Sequence, residues 1–285
     1  MSDGRRKRRG FTIARVVVIL IALGLASEAF WFEPASLERN EYGVALNQWP
    51  RECAGLKVAV LADLHVGSPF NTLERLETIV RETNAGKPDV ILLAGDYVIQ
   101  GVMGGEFIEP EHAATILAGL SAPLGVFAVL GNHDWWLNAE RVAKAITDND
   151  MHMLEDRSIA LTHRGCQFTL IGISDYWEGP HDVEQAFEGV PDDAPTIVFT
   201  HNPDVFPELP RPVSLGIAGH THGGQVALPF IGRPIIPSKY GERFAAGRIV
   251  EGGQTYFIST GIGTSILPVR FGVPPEVSLL RLDAN

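Results

Sequence analysis

Leu56–Asp96 reads LKVAVLADLHVGSPFNTLERLETIVRETNAGKPDVILLAGD, and the fold is decided in this stretch. Leu56–Ala62 is a short apolar run with the length and composition of a buried strand. Thr72–Ala85 then carries Leu73, Leu76, Ile79 and Val80 at helical spacing, which predicts an amphipathic helix. Pro88 closes that helix, and Asp89–Ala94 is a second apolar strand. Outward from this unit, helices are expected over 111–120 and 138–147. Strands are expected at Gly125–Leu130, Gln167–Ile173, Thr196–Thr200, Val213–Ala218, Thr255–Ser259 and Val277–Leu282. Alternation early and strands in succession late predict an α/β fold of mixed sheets covered by helices. We read 56–285 as one domain, 33–55 as a linker, and the proline-rich Leu228–Tyr240 as an ordered surface loop.

The N-terminus carries a different signal. Arg5–Arg9 precede an apolar run from Val16 to Ala26, extended by Ala29, Phe30, Trp31 and Phe32. A basic flank before an apolar segment marks either an uncleaved anchor or an export signal, and Arg8-Arg9-Gly10-Phe11 resembles a twin-arginine address. Both readings stay open. In either, the basic end stays in the cytoplasm and the body lies on the extracytoplasmic side by the positive-inside rule, held at an inner membrane of bacterial type by an anchor or exported after cleavage of a signal. Of the net charge of −11, residues 1–32 contribute +4, which leaves an acidic body of −15. Such a body is not a nucleic-acid binder, since that affinity rests on Lys and Arg neutralising phosphates. No obligate protein partner is evident. Cys53 and Cys166 match no metal spacing and can make at most one bridge; two unpaired thiols are the expectation.

Chemistry-bearing residues cluster where the predicted strands end. The first strand runs into Asp63-x-His65, the second into Gly95-Asp96 and the third into Gly131-Asn132-His133-Asp134. Thr196–Thr200 leads to His201, and Val213–Ala218 to Gly219-His220-x-His222. Ligands collect at the carboxyl ends of strands in α/β sheets. Carboxylate and imidazole together suit first-row transition metals. Residues two apart in extended chain point the same way, which aims Asp63 with His65 and His220 with His222 at a common point. The other histidines, His112, His152, His163 and His181, fall outside any such pattern.

Taken together, these five motifs resemble those of the calcineurin-like metallophosphoesterases, over roughly Leu56 to the C-terminus. The segment from Gly219 to Glu276 is similar to the membrane-associated or exported branch, which includes bacterial phosphodiesterases and a UDP-diacylglucosamine diphosphatase of lipid A synthesis. The resemblance implies two packed mixed sheets flanked by helices, with the N-terminal apolar helix as an addition. It implies two divalent metal ions (manganese, iron or zinc). Asp63, His65 and His222 would hold one and Asn132, His201 and His220 the other, with Asp96 bridging. His133 would be catalytic, contacting the phosphoryl oxygen or protonating the leaving group, and Asp134 would make a supporting hydrogen bond. The implied activity is hydrolysis of a phosphodiester or lipid-linked phosphate near the membrane by a metal-bridging hydroxide. Alternatives are the diphosphatase reaction itself and a catalytically silent, membrane-tethered binding protein.

For substrate contacts the residues leave choices open. Arg270 is either a fork for a distal phosphate or a surface charge. Trp135, Trp136 and Trp177 either wall the site or merely pack their own helix and loop. A serine hydrolase and a P-loop hydrolase are disfavoured, because neither Gly-x-Ser-x-Gly nor Gly-x-x-x-x-Gly-Lys-Ser/Thr occurs.

Overall fold

The computed structural model describes residues 2–285, with side-chain surroundings from Gly10 onward, so the side chains of the basic arm at Arg5–Arg9 lie outside the described set. Two six-stranded sheets form the body. The first contains β1 (Glu38–Leu46), β2 (Leu56–Leu61), β3 (Val90–Ala94), β4 (Val126–Val129), β5 (His152–Met153) and β12 (Glu276–Ala284). Its order is β1-β12-β2-β3-β4-β5, and only the β12–β2 pair is antiparallel. The second contains β6 (Arg157–His163), β7 (Cys166–Ile173), β8 (Thr196–Thr200), β9 (Leu215–Ala218), β10 (Gly247–Glu251) and β11 (Gln254–Ile258). It runs β10-β11-β9-β8-β7-β6, parallel through β11-β9-β8-β7 and antiparallel at both edges.

Side-chain alternation along the central strands builds the layers. Val58 and Val60 of β2, Phe127 of β4, Phe199 of β8 and Phe257 of β11 meet in one buried core between the sheets. The intervening Ala59, Leu61, Ile91 and Leu93 face outward onto Leu76, Ile79, Leu117, Val142 and Ile146. Those belong to the helices Leu73–Ala85, Pro110–Leu117 and Asn132–Thr147. Both faces of the central strands are therefore dry, which is why they read as continuous apolar runs.

Three expectations change. The stretch 33–55 is not a free linker: β1 lies along β12 in parallel register from Glu38–Glu276 to Leu46–Ala284. Its sequence, ERNEYGVAL, is mostly polar because it is an edge strand with one wet face. The helix expected at 138–147 begins at Asn132, with Asn138 extended in its middle. Asn138 Oδ1 accepts from Arg141 N–H at 3.0 Å, so the residue restarts the helix as an N-cap. Finally, Cys53 and Cys166 are disulfide-bonded across 113 positions of chain rather than free. They join the turn before β2 to the start of β7, tying one sheet to the other. Closing a loop of that size restricts the unfolded chain, so Cys53→Ala is expected to lower stability by roughly 2–5 kcal/mol in denaturant unfolding. Reductant added to the unmodified protein should reproduce the loss.

The N-terminal helix, Ser2–Ser27, continues through a π-helical turn at Glu28–Phe32 into Glu33–Ala35. Its apolar segment has the length and composition of a membrane span, and none of it is buried in the body. Among the described residues, only its end touches the domain. The Ala29 carbonyl accepts from Arg270 N–H at 2.9 Å, and the Glu33 carboxylate accepts from the N–H groups of Gly272 and Val273.

Candidate metal centre

The carboxyl ends of β2, β3 and β4 from one sheet, and of β8 and β9 from the other, open at the same edge of the sandwich. Backbone bonds lock the loops together there: Asp63 N–H donates to Gly95 O at 3.0 Å, and Gly219 N–H donates to His201 O at 2.9 Å. Asp63, His65, Asp96, His220 and His222 all have positive φ. That conformation is costly for residues with a Cβ and persists where surrounding contacts impose it, commonly at functional sites. Two glycines make room. A Cβ on Gly131 would lie 2.2 Å from Asp96 Oδ1, and one on Gly261 would lie 2.7 Å from Asp63 Cβ.

The seven residues named from the sequence converge. His65 Nε2 lies 3.1 Å from His222 Nε2, which in turn is 3.4 Å from Asp63 Oδ1. His201 Nε2 lies 3.2 Å from Asn132 Oδ1 and 3.2 Å from His220 Nδ1. A single oxygen joins the two groups: Asp96 Oδ2 is 3.4 Å from His65 Nε2 and 3.3 Å from His201 Nε2. All seven side chains are buried.

The donor set fits divalent cations. His65 Nδ1 faces Val98 O at 3.1 Å, and His201 Nδ1 faces Ala94 O at 2.8 Å. A carbonyl that takes the Nδ1 proton turns the Nε2 lone pair inward, which is the arrangement found behind metal-binding imidazoles. Burial pushes His65 down to about 3, and burial with neighbouring imidazoles holds His220 and His222 well below the ordinary histidine range. Neutral imidazole is the form that ligates. Burial alone would neutralise Asp96, but the His201 charge and hydrogen bond outweigh it and hold the carboxyl well below its usual range. His201 is raised against its own burial by Asp96 and Asp63. A cation held between these carboxylates would take the place of the proton on His201, since ligands bind in their deprotonated form.

Asp134 sets this arrangement from behind. Its Oδ2 accepts from the N–H of Asp96 at 2.8 Å and Gly131 at 2.9 Å, and its Oδ1 from Tyr97 at 3.0 Å and Val98 at 3.3 Å. This is the supporting bond expected of it. Replacing a buried acceptor leaves each donor unsatisfied at about 1–3 kcal/mol, so Asp134→Ala is expected to cost at least ~3 kcal/mol in urea unfolding. His133 sits over the cluster. Its ring lies edge-on to His65 at 4.7 Å, and Asp96 Oδ1 accepts from its backbone N–H at 2.9 Å. Its Nδ1 has no partner, and the ring also stands within ligand range of His65 and Asp96.

A cavity of about 290 Å³ opens in front of the cluster, lined by Asp96, Asn132, His133, His220 and His222. Trp136 and Trp177, each about half exposed, form its walls. Trp136 lies 4.7 Å from the His133 ring, and Trp177 stands edge-on to His220 at 4.3 Å. These two aromatics are more than packing. Trp135 is not a wall: it turns the other way, into a separate depression with Leu130 and Glu155. Consecutive helical residues cannot share a face, so only one of the pair reaches the cavity. Arg270 is neither a surface charge nor a free fork. It is fully buried, donating to Val273 O at 2.9 Å, Thr260 O at 3.0 Å and Gly263 O at 2.6 Å. Gln100, Gln225, Ile235 and Ile266 also line the cavity. Sequence reading missed them because no local pattern marks residues that reach a site from distant loops.

A model of the calcineurin-like phosphoesterase family matches residues 56–224, a span that contains all seven converging side chains. The chain belongs to this family. The phosphoesterase is 30% identical to "Uncharacterized metallophosphoesterase YkuE" of Bacillus subtilis, over 99% of this chain and 98% of that one. It is 30% identical to "Phosphodiesterase YaeI" of Escherichia coli, over 96% and 98%. It is also 24% identical to "UDP-2,3-diacylglucosamine pyrophosphatase LpxG" of Chlamydia trachomatis, over 95% and 98%. The phosphoesterase is accordingly a hydrolase with a two-sheet fold and residues suited to the divalent metals its family uses.

Proposed function

We propose that this protein is a membrane-anchored phosphodiesterase that hydrolyses an amphiphilic phosphodiester on the extracytoplasmic face of the membrane. The observation that carries the reaction is the shared oxygen of Asp96, standing between the two imidazole groups. Asp63, His65 and His222 would hold one divalent cation and Asn132, His201 and His220 the other, with Asp96 common to both. When bound, such a pair supplies Lewis acidity to the phosphoryl group and lowers the pKa of water. Two dications outweigh the two carboxylates, so the site attracts an anionic ester. His133, above the cluster with an unpartnered ring nitrogen, would protonate the departing oxygen. Trp136 and Trp177 supply an apolar wall for the group beyond the phosphate. The N-terminal helix supports attachment as an anchor, since its apolar span is long enough to cross a membrane and is not buried in the body.

Sidedness rests on two features. A basic flank is retained in the cytoplasm, and a disulfide persists in an oxidising compartment. Both oppose a nucleotide-linked lipid substrate made in the cytoplasm, the reading that LpxG suggests. The test is release of p-nitrophenolate from bis-p-nitrophenyl phosphate by chelator-stripped protein, before and after manganese, iron or zinc is restored. Hydrolysis should appear only with metal. Release that ignores the metal, or none with any metal, overturns the reaction and leaves a silent tethered binding protein.

A further inference from the structure

We propose that the rim of the cavity inserts into the bilayer that holds the N-terminal helix, so that the mouth of the site opens at the lipid surface. This rests on the membrane reading above and adds a second point of attachment. The helix end is bonded to a segment that borders the cavity, where Phe271 N–H donates to the O of the lining residue Gln225 at 2.9 Å. Ala29 O and the Glu33 carboxylate hold Arg270, Gly272 and Val273 by backbone bonds, and Trp31 packs edge-on against Phe70 at 5.2 Å. Phe271, within that same segment, pairs with Val226 and accepts from Ala227 N–H at 2.7 Å. The chain then turns back on itself between Leu228 and Gly232, where Leu228 N–H donates to Gly232 O at 2.9 Å. At the tip, Phe230 is completely exposed and Ile231 is 73% exposed. On the facing side Ile266 is 72% and Met103 65% exposed, joined by a bond from Met103 N–H to Ile266 O at 3.0 Å.

Two features argue that lipid, and not another protein, covers these side chains. The patch is tied to the end of the apolar helix by the backbone bonds through 270–273 and 225–228, so a bilayer that holds one lies near the other. Phe230 and Ile266 also have φ of 66° and 64°. A β-branched or bulky residue in the left-handed region is a strained outlier, and here the strain holds apolar side chains out into solvent around the cavity mouth. Large apolar side chains held outward, next to a span, suit insertion at the headgroup boundary. Because the body is acidic, the attachment is apolar rather than electrostatic.

The test uses the full chain in phosphatidylcholine–phosphatidylglycerol vesicles. The native cysteines are paired, so Phe230→Cys and Asp193→Cys each offer one free thiol for an environment-sensitive dye. Asp193 is exposed just before β8, at the opposite end of the sheets. Lipids with a nitroxide on the acyl chain should quench most emission at 230 and none at 193. Equal, weak quenching at both positions overturns the proposal. In the same vesicles, Phe230→Asp with Ile231→Asp should slow hydrolysis of hexadecyl p-nitrophenyl phosphate by about tenfold, as apolar contact is lost. Hydrolysis of soluble bis-p-nitrophenyl phosphate should be unchanged. An unchanged rate on the vesicle-held ester also overturns it. The optical arm needs no turnover, so an inactive protein refutes the proposed reaction and still decides whether the rim inserts.

Discussion

Asp96→Asn should abolish metal-dependent hydrolysis and leave the fold standing. The amide keeps the size of the carboxylate and one oxygen, so His133 N–H still finds its acceptor. What disappears is the negative charge between His65 and His201. Residues that only orient metal ligands cost about 10–100-fold when removed, and a ligand common to both halves should exceed that, with turnover falling at least ~10²-fold. Metal content by mass spectrometry of dialysed protein should fall in parallel. Unfolding by heat with chelator present should match the parent protein. A variant that keeps both its metals and its turnover would overturn the assignment of Asp96 as the common ligand.

His133→Ala should separate metal binding from catalysis. The ring projects over the cluster and takes no part in the close contacts between His65, His222 and Asp63 or between His201, Asn132 and His220. The variant should therefore retain its metals. A general acid contributes about 10²–10⁴ in rate, so hydrolysis of esters with alkyl leaving groups should fall by that factor. p-Nitrophenolate departs without a proton, so hydrolysis of bis-p-nitrophenyl phosphate should fall much less. An equal loss on both esters, together with loss of metal, would instead make His133 a ligand, for which it also stands in range.

How much of this was legible depends on how local each signal is. The strand–helix–strand unit at 56–96 and the residues at its strand ends were readable because buried parallel strands are apolar on both faces and ligands follow them directly. Asp63, His65, Asp96, Asn132, His201, His220 and His222 could be grouped from a repeated pattern. Edge strand β1 could not, since Glu38–Leu46 has a wet face and takes its place only by lying along β12, more than two hundred positions away. Cys53 and Cys166 showed no pairing because nothing local encodes the approach of the two sheets. Arg270 read equally as a phosphate fork or a surface charge, yet three carbonyls from loops folded around it accept from its terminal guanidinium nitrogens. Trp135 and Trp136 differ only in the face of the helix they occupy, and that depended on a helix start six residues earlier than the one Asn138 marks.

The bond from His201 to the carbonyl of Ala94 crosses from one half of the sandwich to the other. Neither half owns the whole candidate set of ligands, so the cluster exists only once both halves have docked. Ions that bind only the finished form add their affinity to its stability. Under the proposed assignment, a molecule that loses one half to unfolding would lose its ions and its activity in the same event.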